Sequence, residues 1–522
     1  MSDSMSGCGC GCGDGKGCAG GAGIGAGKNA QQAPAAKPTE KDVKDLKVII
    51  GLEIHCQLNT KTKLFCGCSA DFRDDAPNTH VCPICLGLPG ALPKLNKQAV
   101  IYALKVAKAL NLEISEVSEF SRKNYFYPDL PKGYQISQYD KPIALRGKMT
   151  VDDDEGHEKV IRITRIHLEE DPGRLVHKIS RDRAGYTLVD YNRSSIPLIE
   201  IVTEPDLSSP KEARRFLNKL RATLEYLDVF DGEKEGSIRV DANISLEGHN
   251  RVECKNISSY KGVEKALTFE ITRQRNLIRR GQEIVQETRH FLEGRGITTG
   301  SRSKEDENDY RYFPEPDLKP LRVKEWADKI ELPELPDAKR ERFMSQYGVS
   351  VNHAKTLVGD IKVADFYEGI LKNGAISKET ELAATWVCDT LLGELYYRNM
   401  KIDSVPQDCF ADLIALLKDK KVTDKVAVDV LRAMLDDIHE GRKCAMPSET
   451  VEKSGLGKGS DDEFTEIIKK VVAANPQAVA DYHSGKGNAI NFIVGQIMKE
   501  TKGRADPKSL NKLIVDYIAS ME

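Results

Sequence analysis

From Val48 to Leu58 apolar and polar residues alternate: Leu52, Ile54, Cys56 and Leu58 fall on one side of an extended strand, Glu53, His55 and Gln57 on the other. Period-two patterning of this kind dominates as far as about Leu321, interrupted by helical spacing at Lys97–Leu110 and Lys211–Leu227. Beyond Glu331-Leu-Pro-Glu-Leu-Pro336 the spacing turns helical, as in Glu379–Tyr397, Phe410–Leu417 and Ala427–Ile438, and the paired prolines mark a boundary. A Gly-Ser stretch from Ser454 to Ser460 marks another, with further helices from Asp461 to Glu522. The pattern predicts an α+β protein in four parts: a Gly/Cys-rich disordered tail over 1–44, a mixed β-sheet domain over 45–335, an all-α helical domain over 336–455 and a small α-helical tail domain over 456–522. No internal repeat is evident.

Within the strands, certain carboxylates break the pattern. Glu200 interrupts the apolar run Ile196-Pro-Leu-Ile-Glu200-Ile-Val202, and Glu170 ends a row begun by Ile166 and Leu168. An unpaired carboxylate costs at least several kcal/mol to bury, so each calls for a cation, a metal or a bound group. With Glu53 and His55 they form an oxygen-rich donor set suited to Mg²⁺ or Mn²⁺, which retain waters for phosphate oxygens. Salt-bridged or solvated strand carboxylates fit the same spacing. Cys66-Gly-Cys68 and Cys82-Pro-Ile-Cys85 form a stronger signal. Two short cysteine hairpins with this separation suit tetrahedral zinc, in a closed four-thiolate site that is structural.

Composition narrows the function classes. The balance of 77 basic and 80 acidic residues gives a net charge of -3, so any RNA contact must come from local patches. No apolar run is long enough to span a membrane and the N-terminus has no leader pattern, which predicts a cytoplasmic protein. Thirteen cysteines argue for thiols or metal rather than a disulfide framework. Cys8, Cys10, Cys12 and Cys18 lie in the tail, as does Gly23–Lys28, which resembles a phosphate loop only superficially. Neither a Ser-Lys-Ser nor a Cys-His-Asn amidase constellation is recognisable.

The runs Gly51-Leu-Glu-Ile-His55, Arg122-Lys-Asn-Tyr-Phe-Tyr-Pro-Asp129, Leu168-Glu-Glu-Asp171, Asp190–Val202 and Asp309–Asp317, with Gly236–Ser245, Lys255–Ser258 and Gly485–Lys499, closely resemble the GatB family of Asp/Glu-tRNA amidotransferases. The resemblance covers nearly everything from Val48 onward. It implies a catalytic cradle, a helical domain and a YqeY-like tail that touches tRNA. It also implies an ATP-dependent carbon-nitrogen ligase that phosphorylates glutamate or aspartate misacylated on tRNA(Gln) or tRNA(Asn), then amidates it with ammonia. The ammonia would come from a separate amidase partner, the A subunit, with a small C subunit completing a heterotrimer. On this resemblance Glu53, His55, Glu170 and Glu200 hold the Mg²⁺. Lys255 and Arg239, with Arg122 and Lys123, are candidates for phosphate or the aminoacyl end, though each is also read as a salt-bridged cation. Arg239, Asp241 and Asn243 form a polar strand face that reads equally as a tunnel or substrate lining and as a solvated face. Tyr125, Phe126 and Tyr127 read as core ahead of a stacking platform for the terminal adenosine, and Lys486, Lys499, Lys502, Arg504, Lys508 and Lys512 as a tRNA patch ahead of a solvated helical face.

Overall fold

A computed structural model describes residues 43–179, 185–234, 236–303, 310–457, 461–484, 488–501, 504–505 and 507–520. Residues 1–42 of the Gly/Cys-rich tail, with its four cysteines and phosphate-loop look-alike, the cations Lys486 and Lys502, and the side chain of Lys508 lie outside the described residues. Val43, expected in the disordered tail, is instead buried in the core of the sheet domain. The strands are β1 (Val48–Gln57), β2 (Glu113–Ile114), β3 (Ser121–Asn124), β4 (Tyr134–Ser137), β5 (Ala144–Asp152), β6 (Glu158–Glu170), β7 (Arg174–Ile179), β8 (Gly185–Asp190), β9 (Pro197–Thr203), β10 (Ile238–Leu246), β11 (Val252–Ile257), β12 (Glu287–Leu292), β13 (Ile297–Ser303) and β14 (Phe313–Pro314). Nine of them form one mixed sheet in the order β13-β12-β11-β10-β1-β9-β6-β5-β2, in which only β11 and β12 run parallel. The predicted α+β class, with a mixed sheet first and helices after it, is what the structure has.

The sheet has two unlike faces because its strands alternate. Leu52, Ile54 and Cys56 of β1, Ile166 and Leu168 of β6, Ile199 and Ile201 of β9, and Val240, Ala242 and Ile244 of β10 are at most 1% exposed. Each large side chain so buried contributes roughly 1.5–3 kcal/mol. They pack on α1 (Lys97–Ala109), α2 (Pro210–Tyr226) and α3 (Tyr260–Arg279), whose buried faces carry Leu104, Phe216, Leu220 and Leu267. The helices start where side chains cap them: Asn96 Oδ1 accepts from Gln98 N at 2.9 Å, Ser209 Oγ from Glu212 N at 3.1 Å and Ser259 Oγ from Gly262 N at 3.0 Å. The opposite face is polar and carries the candidate site. A three-stranded sheet, β14-β3-β4, stands over part of it.

The helices after Pro336 build a core of their own around Phe343, Phe366, Tyr367 and Phe410, which Tyr226 of α2 joins. Helices from Asp461 onward form a separate small core around Phe464, Ile468, Ile493, Ile497 and Ile514. Among the described residues no helix is long and apolar enough to cross a membrane.

Candidate active site

Register brings the polar residues together. On the central strand His55 pairs with Glu200 of β9, and Glu200 in turn with His167 of β6. A residue two places along a strand shares its face, so Glu169 joins them. His55 Nε2 stands 3.3 Å from Glu200 Oε2 and 3.4 Å from Glu169 Oε1, while His167 Nε2 stands 3.1 Å from Glu200 Oε2. Glu169 and Glu200 are 4% and 8% exposed. Donor atoms of His55, Glu169 and Glu200 lie within 4.8 Å of one another, as ligands of one ion must. The donor set of two carboxylates and an imidazole suits a divalent cation that keeps open positions.

Electrostatics binds this group tightly. Burial alone would lower the pKa of His55, but the charge and hydrogen bond of Glu200, with Glu169 beyond, raise it to about 9. Burial would raise that of Glu200, yet His167 and His55 hold it well below the usual carboxylate range. Lys123, on β3 of the overlying sheet, faces the same carboxylates; burial opposes its charge, but Tyr312, Glu169 and Glu200 shift its pKa upward. Its ammonium sits 4.7 Å from the centre of the Tyr310 ring.

The polar face continues sideways. Glu53 pairs across the ladder with Asp241, and Glu53, Asp241 and Glu253 form a second acidic group with donor atoms within 4.8 Å. Burial first, then Glu200, Glu253 and Asp241, push the Glu53 pKa up. Asn243 Nδ2 donates to Glu53 at 2.9 Å, and Lys255 Nζ lies 3.2 Å from Asp241 and 3.4 Å from Glu253. At the other end Asp171 is 1% exposed and accepts from Arg239 at 2.7 Å and from Gln57 at 3.0 Å.

Among the expected metal ligands, His55 and Glu200 meet, Glu53 stands beside them, and Glu170 does not join. Glu170 points to the apolar side of β6 with Leu168, where Lys132 donates to it and Ile136 N donates at 2.9 Å. The partner that burial demands is therefore a lysine, and Glu169 takes the place expected of Glu170. Arg122 is engaged in the fold: its guanidinium grips Glu315 at 2.7 and 2.8 Å. Phe126 and Tyr127, expected in a core rather than on a stacking platform, are exposed, and of the three only Tyr125 is partly buried. Sequence reasoning misses His167, Glu169 and Asp171, although they alternate with Ile166, Leu168 and Glu170; nothing local says which face meets Glu200.

The thiols of Cys66, Cys68, Cys82 and Cys85 also converge, all within 4.8 Å, with Cys82 Sγ and Cys85 Sγ 3.8 Å apart. A tetrahedral zinc with Zn–S bonds of about 2.3 Å requires sulfur separations of about 3.8 Å. Cys82 N donates to Cys85 Sγ at 3.1 Å, and a hydrogen bond from Cys66 lowers the Cys85 pKa to about 5. Lys63, wholly buried, donates to the carbonyl of His80 at 2.7 Å and puts its charge beside Cys85. A buried ammonium next to four thiols fits a site that carries net negative charge.

Residues 48–328 match the GatB/GatE catalytic domain and residues 365–518 the GatB domain. The aspartyl/glutamyl-tRNA(Asn/Gln) amidotransferase B subunit of Methanospirillum hungatei is 65% identical over 476 residues, which cover 91% of this chain and 99% of that protein. The chain belongs to the GatB family. The protein of the same name from Methanoregula boonei is 63% identical across 90% of this chain and 98% of its own length. The one from Haloarcula marismortui is 48% identical across 92% and 99%. The histidine and carboxylate floor, Lys123 above it and the four-thiol cluster all lie inside the matched GatB/GatE catalytic domain.

Proposed function

We propose that the polar floor of the sheet is where this GatB-family chain activates the side-chain carboxylate of an amino acid held on tRNA. The chain is one component of a tRNA-dependent amidotransferase, a glutamine-dependent, ATP-using ligase complex. A carboxylate resists attack by ammonia until one oxygen becomes a good leaving group. Phosphorylation by ATP makes it one, giving an acyl phosphate that ammonia attacks. His55, Glu169 and Glu200 would hold Mg²⁺ or Mn²⁺, with Glu53 beside them. Bound there, such an ion would supply charge neutralisation for phosphoryl transfer. Lys123 faces the same place from above and would meet the charge on the transferred phosphoryl group. Arg239, oriented by Asp171, and Lys255, on the second acidic group, flank it as phosphate or acyl contacts.

The observation that carries this reading is the convergence of His55, Glu169 and Glu200 beneath Lys123. Zinc at Cys66, Cys68, Cys82 and Cys85 would fasten the loop beside β1, with Lys63 balancing its charge. Ammonia would reach the floor from an amidase partner, with a small third protein completing the complex, in the cytoplasm. Exposed Lys499 and Lys512 of the tail helices would contribute to tRNA contact. The test is amidation of Glu-tRNA(Gln) and Asp-tRNA(Asn) by the assembled complex carrying Glu169→Gln or Glu200→Gln. Loss of ATP-dependent amidation with tRNA binding retained supports the assignment; undiminished turnover refutes it.

A further inference from the structure

The loop joining β3 to β4, residues 125–133, presents a surface that the proposed chemistry leaves unused. Phe126 is 91% exposed and Tyr127 56%. Yet the loop is firmly held. Gly173 N donates to Asp129 O at 2.8 Å, Tyr191 Oη to Pro128 O at 2.8 Å and Gly133 N to Leu130 O at 3.0 Å, while Lys132 is bound to Glu170. Asp129 and Leu130 are buried. Gly133 takes φ +75°, and a Cβ there would stand 3.1 Å from Cε1 of Phe126, so the ring lies against bare backbone. With Pro128, Leu130, Pro131 and Lys132 the two rings border an open concavity of about 470 Å³.

Two adjacent exposed rings beside Pro128 and Pro131, held in water by a fixed loop, form a contiguous apolar patch, and such a patch marks a contact surface. Unpaired nucleic-acid ends are recognised by stacking bases on such rings. The position suits that role: Phe126 follows Lys123, the residue that faces Glu169 and Glu200, by three places, so at most about 10 Å separates their backbones. An amino acid esterified to the terminal ribose of tRNA shares a single nucleotide with the terminal base. A base stacked on the rim would carry its side-chain carboxylate over the floor. Two neighbouring rings, each more than half exposed, also suit successive bases of a strand better than one enclosed purine.

We propose that Phe126 and Tyr127 form the stacking platform for the unpaired 3′ end of the aminoacylated tRNA, with its terminal base on Phe126; this rests on the proposed function. In the assembled complex, Phe126→Ala and Phe126→Leu should raise KM for aminoacyl-tRNA about five- to 150-fold, the range of one lost base stack. KM for ATP and kcat at saturating tRNA should hold, and Phe126→Trp should restore KM. Binding of tRNA trimmed of its unpaired 3′ end should be indifferent to Phe126→Ala. An unchanged tRNA KM in Phe126→Ala overturns the platform, as does a rise in KM for ATP alone, which would place the nucleotide's adenine there. Failure of the unaltered complex to amidate either tRNA overturns the proposed function, and the platform with it.

Discussion

The four thiols and the histidine-carboxylate floor are both clusters of would-be ligands, but they are assembled differently. The thiols come from one short stretch, Cys66 to Cys85, and close on one another with every sulfur turned inward. The floor draws His55, Glu169 and Glu200 from three strands and leaves its upper side to Lys123 and the overlying sheet. A closed set of four soft ligands leaves no place for substrate, whereas an open set of hard ligands does. One cluster therefore suits structure and the other chemistry.

The sharpest way to break that contrast is Glu200→Gln. It removes the carboxylate shared by His55 and His167 and should lower kcat about a thousandfold, the scale of several kcal/mol of lost transition-state stabilisation, as measured by single-turnover amidation. Neighbouring substitutions on β6 should then separate the two faces of one strand. Glu169→Gln should reduce turnover with little change in melting, whereas Glu170→Gln should strand the buried Lys132 and destabilise the domain by about 3–5 kcal/mol in denaturant unfolding. Equal effects from the two would erase the distinction between the faces.

Cys85→Ser should abolish zinc retention by metal analysis and lower the melting temperature, while the zinc-depleted complex, where it stays folded, keeps its ATP dependence. A turnover loss matching that of Glu200→Gln, with the fold intact, would make the thiol cluster catalytic instead. The smallest effect concerns His55. Because its pKa is raised to about 9 in the fold, its contribution to stability is complete below its unfolded value of about 6.5 and fades as pH climbs through 9 in the magnesium-free protein. Magnesium or manganese uptake at pH 7 should then release about one proton, read by calorimetry in buffers of different ionisation enthalpy. No proton release would remove His55 from the ligand set.

By itself the sequence determined the sheet-then-helix order, because period-two and period-3.6 patterning are local properties of the chain. It located the thiol quartet for the same reason: spacing along a short loop nearly sets the distance between sulfurs. It also identified Glu200 and Glu170 as carboxylates that burial obliges to find partners, since the cost of isolating a charge does not depend on knowing the fold. Tertiary structure alone decided who those partners are. Register between β6 and β9 sets His167 against Glu200 and brings Glu169 round to His55, while one residue further on Glu170 emerges on the other face and meets Lys132. A strand's alternation says which residues share a face; only pairing with its neighbours says what that face sees.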